Sequence, residues 1–124
     1  MISHTSVAVR DYSKSKELYI AMLAPLGYAL GLDLPEYTAA GFTQGGKQDF
    51  WIGQNPAGGT THVAFVAANQ DEVQAFYDAA LAAGATDNGA PGYRAAYSPG
   101  YYGAFVHDFD GNNIEAVWMD ASKG

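Results

Sequence analysis

The sequence contains no cysteine, which excludes disulfide staples, thiolate metal sites and cysteine nucleophiles. Positive charge is scarce as well. Six Lys and Arg face thirteen Asp and Glu, a formal net charge of −7. Such a chain repels phosphate backbones and anionic lipid, so neither a nucleic acid nor a membrane surface is an expected partner. No apolar run approaches the ~18 residues that a membrane-spanning helix requires. Met1-Ile2-Ser3-His4 shows neither the basic nor the apolar region of a secretory leader, and a cytoplasmic location is expected. Charged residues make up only 15% of the chain, below the usual ~25%, whereas aromatics reach 14% and glycines number 15. A chain of 124 residues with this balance is expected to form one domain spanning 1–124, with an aromatic-rich core or cleft.

What the sequence does contain is a weak internal repeat. Ser3-His4-Thr5 opens a strand-like run that continues Ser6-Val7-Ala8-Val9, and Thr61-His62-Val63 opens another that continues Ala64-Phe65-Val66-Ala67. At the same offset Leu18-Tyr19 falls on Phe76-Tyr77 and Leu23 on Leu81. A helix follows each run. The second has Asn69 as cap, Glu72 three residues on, an apolar stripe of Val73, Phe76, Tyr77, Ala80 and Leu81, and Gly84 as terminator. The first starts after Asp11 or Ser13 and is closed by Pro25 and Gly27. Strand patterns then cover Tyr28–Leu32, Tyr37–Thr43 and Gln48–Gln54 in the first half, and Tyr93–Tyr97, Tyr101–His107 and Asn112–Trp118 in the second. Module 1 spans about 1–55, Asn55–Gly59 is the linker, and module 2 spans about 60–119, with about six extra residues before its last strand. The expectation is an α+β fold of two tandem βαβββ modules, forming a cup-shaped curved mixed sheet with helices outside.

Strand alternation sorts the side chains. His4, Ser6 and Ala8 share one face of the first strand, and His62, Ala64 and Val66 share the equivalent face of its counterpart. The bulkier alternate residues meet the helices. In the last strand Ile114, Ala116 and Trp118 form the apolar set, which turns Glu115 toward the cup. His4, His62 and Glu115 are therefore candidate ligands of one divalent metal ion, with Fe, Mn, Zn, Ni or Co all suited to two imidazoles and a carboxylate. A carboxylate in an apolar strand needs such a partner, an Arg, or exposure.

This arrangement resembles the vicinal oxygen chelate superfamily, the glyoxalase / bleomycin resistance protein / dioxygenase group, over residues 2–119. The strongest stretch is Tyr101-Tyr102-Gly103-Ala104-Phe105-Val106-His107-Asp108-Phe109-Asp110-Gly111-Asn112-Asn113-Ile114-Glu115. It looks like the family's ending before its metal-binding glutamate, with Phe109 where proline is usual. The resemblance implies four ligand positions, two per repeat, and the fourth falls on Trp51, whose indole is not a metal ligand. Asp49 stands two residues away on the same face. Because glyoxalase I uses a glutamate there as ligand and base, three ligands match better the extradiol dioxygenase and fosfomycin-resistance branches.

The function expected is a glyoxalase-like, divalent-metal-dependent lyase or isomerase acting on a small substrate that chelates the metal through vicinal oxygens. An extradiol-type Fe(II) dioxygenase and a non-catalytic small-molecule or drug-binding protein are the alternatives. Tyr102, Tyr97 and His107 are candidates for proton transfer. Trp51, Arg94 and Tyr101 are candidates for substrate binding, Arg94 as an anchor for a carboxylate or phosphate. Asp108–Asn112 reads as a hairpin turn and lacks the spacing of a calcium loop. A homodimer is expected, with the cup completed within one chain or across two.

Overall fold

Two side chains set where the helices begin. Asp11 accepts a hydrogen bond from Lys14 N–H at 3.1 Å and starts α1 (Tyr12–Leu23). Asn69 accepts from Glu72 N–H at 2.9 Å and starts α2 (Gln70–Ala82), while Glu72 reaches back to Ala68 N–H. This reciprocal capping satisfies donors that a helix start leaves free. Gly27 and Gly84 follow the helical segments in the left-handed region, at φ 85° and 111°, a conformation open to glycine.

The computed structural model describes residues 1–123. Its strands are β1 (Thr5–Val9), β2 (Ala29–Leu34), β3 (Ala39–Thr43), β4 (Phe50–Gln54), β5 (His62–Val66), β6 (Thr86–Tyr93), β7 (Tyr101–His107) and β8 (Asn113–Met119). They form two four-stranded mixed sheets ordered β1-β4-β3-β2 and β5-β8-β7-β6. In each sheet the module's first strand lies parallel to its last, and the other pairings are antiparallel. Both halves are thus βαβββ modules with curved sheets, and the two sheets do not close into a barrel.

One strand differs from the sequence reading. The segment expected at Tyr93–Tyr97 lies instead at Thr86–Tyr93, and residues 94–100 form the connection to β7. Gly89, Pro91 and Gly92 give the true strand a loop-like composition, and its pairing with β7 shifts register twice around them. Tertiary pairing overrides local propensity here. The extra residues of module 2 fall in this region, since Leu34 pairs with Ala39 in module 1 whereas Tyr93 pairs with Tyr102. Tyr37, expected in a strand, sits in a short 3-10 turn and is exposed.

The core forms on the helix-bearing faces. Val7 and Val9 of β1, Phe50 and Ile52 of β4, Ile114 and Ala116 of β8, and Leu18, Tyr19, Met22, Val73 and Phe76 of the helices are all sealed from solvent. Phe65 of β5 stands edge-on to Phe50 and Tyr28, at 5.0 and 5.4 Å between centroids, so both modules share one core. The opposite faces of the sheets stay open.

Candidate metal and ligand site

The second module's open face holds the most concentrated chemistry. Strand β8 sends Ile114 and Ala116 into the core, so Glu115 points the other way. It is nevertheless only 1% exposed. An unpartnered carboxylate at that depth costs several kcal/mol, about what removing one member of a buried pair costs. Both of its oxygens are partnered. His62 Nε2 lies 2.7 Å from Oε1, and the Tyr101 hydroxyl donates to Oε2. The Tyr97 ring stands edge-on to Tyr101 at 5.2 Å. Phe105, directly across from Glu115, lies 6.4 Å from the His62 ring. The Arg94 guanidinium covers Phe105 at 5.4 Å and donates to the Ala90 carbonyl at 2.7 Å. Burial raises the Tyr101 hydroxyl's pKa, the hydrogen bond to Glu115 and its charge raise it further, and Arg94 opposes them.

Gly103 makes room for this pair. A Cβ there would stand 3.1 Å from the Tyr101 ring and 3.5 Å from Glu115 Oε2. Sequence reasoning did not single out Gly103 or Phe105 for the site. The signal was present, since both share strand parity with Tyr101.

The first module repeats the register with different side chains. Ser6, Trp51 and Gly41 lie side by side across β1, β4 and β3, as Ala64, Glu115 and Phe105 do across β5, β8 and β7. Trp51 therefore occupies the Glu115 position, as the sequence alignment expected, and Asp49 stands two residues before it. The indole lies on Gly41, where a Cβ would come within 2.9 Å of three ring atoms. Asp49 accepts from the Tyr28 hydroxyl, whose pKa is pushed up to about 12 by burial and by that bond. His4 is exposed, with Nδ1 3.1 Å from Ser3 Oγ.

The seam between β1 and β5 decides which ligands meet. At one end the Asn112 carboxamide binds the Ala8 carbonyl and the Thr61 N–H. At the other, His4 and Thr5 share a cleft of about 300 Å³ with Ala64 and Val66, walled by Tyr28, Asp49 and Phe50. The end of β1 thus lies by the start of β5 and its start by the end of β5, so the strands run in opposite directions. His4 and His62 fall at opposite ends of the seam, on the order of 10 Å apart along the strands. Among the described residues no group of three His, Cys, Asp or Glu side chains converges. The structure brings His62 and Glu115 together and leaves His4 apart from them.

The remaining candidates separate by face. Tyr97 and Arg94 come from the β6–β7 connection beside Tyr101 and Phe105. His107 lies opposite Asn113, which also pairs with His62. Tyr102 points into the core against Tyr93 and Trp118, because adjacent residues of a strand face opposite ways. Asp108–Asn112 forms the expected turn. Asp108 is sealed inside it by Tyr19, Asn112 and the N–H groups of Asp110 and Asn112.

For a divalent ion the donor chemistry fits in part. An imidazole and a buried carboxylate on neighbouring strands are two ligands of the kind that Fe, Mn, Zn, Ni or Co takes. A third donor is needed from beyond this pair.

Two βαβββ modules, each with its first strand parallel to its last, define the class of fold to which the chain belongs. The sequence matches no family model and no curated protein. Solved structures do match. A glyoxalase/bleomycin resistance protein from Albidiferax ferrireducens T118 is 28% identical with a TM-score of 0.78, covering 95% of this chain and 98% of that one. A lactoylglutathione lyase from Agrobacterium tumefaciens is 20% identical with a TM-score of 0.68, covering 95% and 92%. TioX from Micromonospora sp. ML1 is also 20% identical at 0.68, covering 95% and 99%. The structural neighbours are glyoxalase/bleomycin resistance/dioxygenase proteins, that is, the vicinal oxygen chelate superfamily, and this chain has their fold. No helix among the described residues is long and apolar enough to cross a membrane.

Proposed function

We propose that this chain is a divalent-metal-dependent lyase or isomerase whose site is completed by a second copy of itself. The observation that carries this reading is the His62–Glu115 pair, a buried carboxylate and an imidazole 2.7 Å apart on an open sheet face. Antiparallel edges keep a chain's own His4 from that pair, whereas a two-fold partner presents the same residue at each of two equivalent sites. His62 and Glu115 of one protomer and the histidine at position 4 of the other would hold the ion. When bound, it supplies Lewis-acid polarisation to a substrate that chelates it through vicinal oxygens. Trp51 forms a ring-binding wall, and Arg94 offers a bidentate anchor for an anionic group. Tyr97 and His107 are the proton carriers that share Glu115's side of the sheet, whereas Tyr102 points away.

A second reading, a non-catalytic binding protein, is favoured by Trp51, an aromatic surface at the position of a fourth ligand. An extradiol-type Fe(II) dioxygenase rests on the same donor set as the lead reading. Metal analysis of untagged protein, alongside His4→Ala/Glu115→Ala, tests the proposal. Near-stoichiometric metal in the native dimer and background metal in the variant support it. No metal after reconstitution with iron, manganese, nickel, cobalt or zinc refutes it and leaves the binding reading.

A further inference from the structure

Resting on the metal-site reading above, we infer that Tyr101 is a positioning residue that fixes Glu115 as a one-oxygen ligand. The carboxylate has two oxygens and two different partners. Oε1 faces His62, the side on which an ion shared with that imidazole would sit. Oε2 accepts from the Tyr101 hydroxyl on β7, two strands from His62. The hydroxyl therefore ties up the oxygen that would otherwise rotate into a two-oxygen grip.

Two further features hold Tyr101 in that role. The edge-on Tyr97 ring stands against it at 5.2 Å. Gly103 leaves the space that the phenol and the carboxylate share, since a Cβ would stand 3.1 Å from the ring and 3.5 Å from Oε2. Glu115 is 1% exposed, so water does not compete for the second oxygen. A buried carboxylate held at one oxygen enters metal coordination with its orientation already set, and the ordering cost of binding falls accordingly. Groups that hold metal ligands in this way are worth about 10–100-fold in metal affinity.

Cobalt(II) is the probe, because its visible absorption reports coordination number as well as occupancy. Wild type, Tyr101→Phe and Gly103→Ala are titrated with Co(II), after thermal melts of the metal-free proteins confirm folding. Tyr101→Phe keeps the ring and removes only the hydroxyl. It should bind Co(II) about 10–100-fold more weakly, with a weaker visible band as the freed oxygen raises the coordination number. Gly103→Ala, which crowds the pair, should move in the same direction. Weaker binding or an altered spectrum in Tyr101→Phe supports the role. Affinity equal to or tighter than wild type with an unaltered spectrum overturns it. Failure of the wild type to bind Co(II) removes the metal-site reading itself, a result distinct from equal binding by wild type and variant.

Discussion

On the second sheet the central row Ala64–Glu115–Phe105 carries a buried carboxylate; on the first, the equivalent row Ser6–Trp51–Gly41 carries an indole. The backbone register is the same in both. What differs is how volume is divided across the strands. Where the middle residue is large, the outer neighbour is glycine and the ring lies flat on it. Where the middle residue is a carboxylate, the outer neighbour is a phenylalanine that dries its surroundings. The connections differ in the same sense. A short turn through Pro35–Tyr37 leaves the first face open, while residues 94–100 bring Arg94 and Tyr97 over the second. Duplication therefore repeats the positions at which a side chain can act. The chemistry at each position is set by its cross-strand neighbour and by loop length.

The comparison is broken most severely by Phe65→Ala. That ring belongs to module 2 but packs between Phe50 and Tyr28 of module 1. Truncating a buried Phe costs about 3–5 kcal/mol. Because the modules share one core, urea unfolding followed by both fluorescence and circular dichroism should remain a single transition, shifted to lower midpoint. Two separated transitions would show that the halves fold independently.

A smaller effect comes from making the two rows alike. Trp51→Glu places a carboxylate where the repeat's second ligand position falls, on a floor that Gly41 keeps open. With a fourth donor added to the proposed site, metal affinity should rise about tenfold, ~1.4 kcal/mol, in a competition titration against a chromogenic chelator. Unchanged affinity would mean that the first module's face does not meet the second's in the assembled protein.

Much of this frame was legible in the sequence. The histidine spacing pointed to two tandem βαβββ modules, and alternation turned Val7 and Val9 toward the helices and Glu115 to the opposite face, because a period-2 pattern is fixed by the backbone itself. The caps at Asn69 and Gly84 were equally readable, since each answers a local hydrogen-bonding or conformational demand. Strand β6 was not, because Gly89, Pro91 and Gly92 read as a loop and only pairing with β7 makes them a strand. The separation of His4 from His62 was not legible either. Equivalent positions in a repeat say nothing about whether two edges run parallel or antiparallel when they meet, and that direction is carried by long-range contacts such as Asn112 to Ala8. Tyr101's bond to Glu115 lay between these cases. Its face was readable from strand parity, whereas its partner depended on the space at Gly103.

The gentlest test compares how the modules handle their excess acid. Among the described residues six phenols donate to carboxylates, three in each module: Tyr12 to Asp33, Tyr19 to Asp108, Tyr28 to Asp49, Tyr77 to Asp87, Tyr93 to Asp120 and Tyr101 to Glu115. With six cations for thirteen acids, tyrosine takes over part of the pairing that Lys and Arg ordinarily supply. All six hydroxyls are raised above the ordinary value of 10; burial is the main cause for five, and for Tyr93 it is the bond to Asp120. A group whose pKa is raised by folding stabilises fully below its unfolded pKa and loses that contribution as pH rises through the folded one. The melting temperature should therefore hold from neutral pH to about 10 and fall as pH climbs toward 12, where Tyr28 ionises in the folded state. Tyr19 and Tyr77 stand at equivalent repeat positions, but Tyr19 is fully buried and Tyr77 only in part. Removing the Tyr19 hydroxyl as Tyr19→Phe should flatten the alkaline decline visibly, and Tyr77→Phe should leave it nearly unchanged. Equal slopes for the two variants would mean that burial does not separate the modules in this respect.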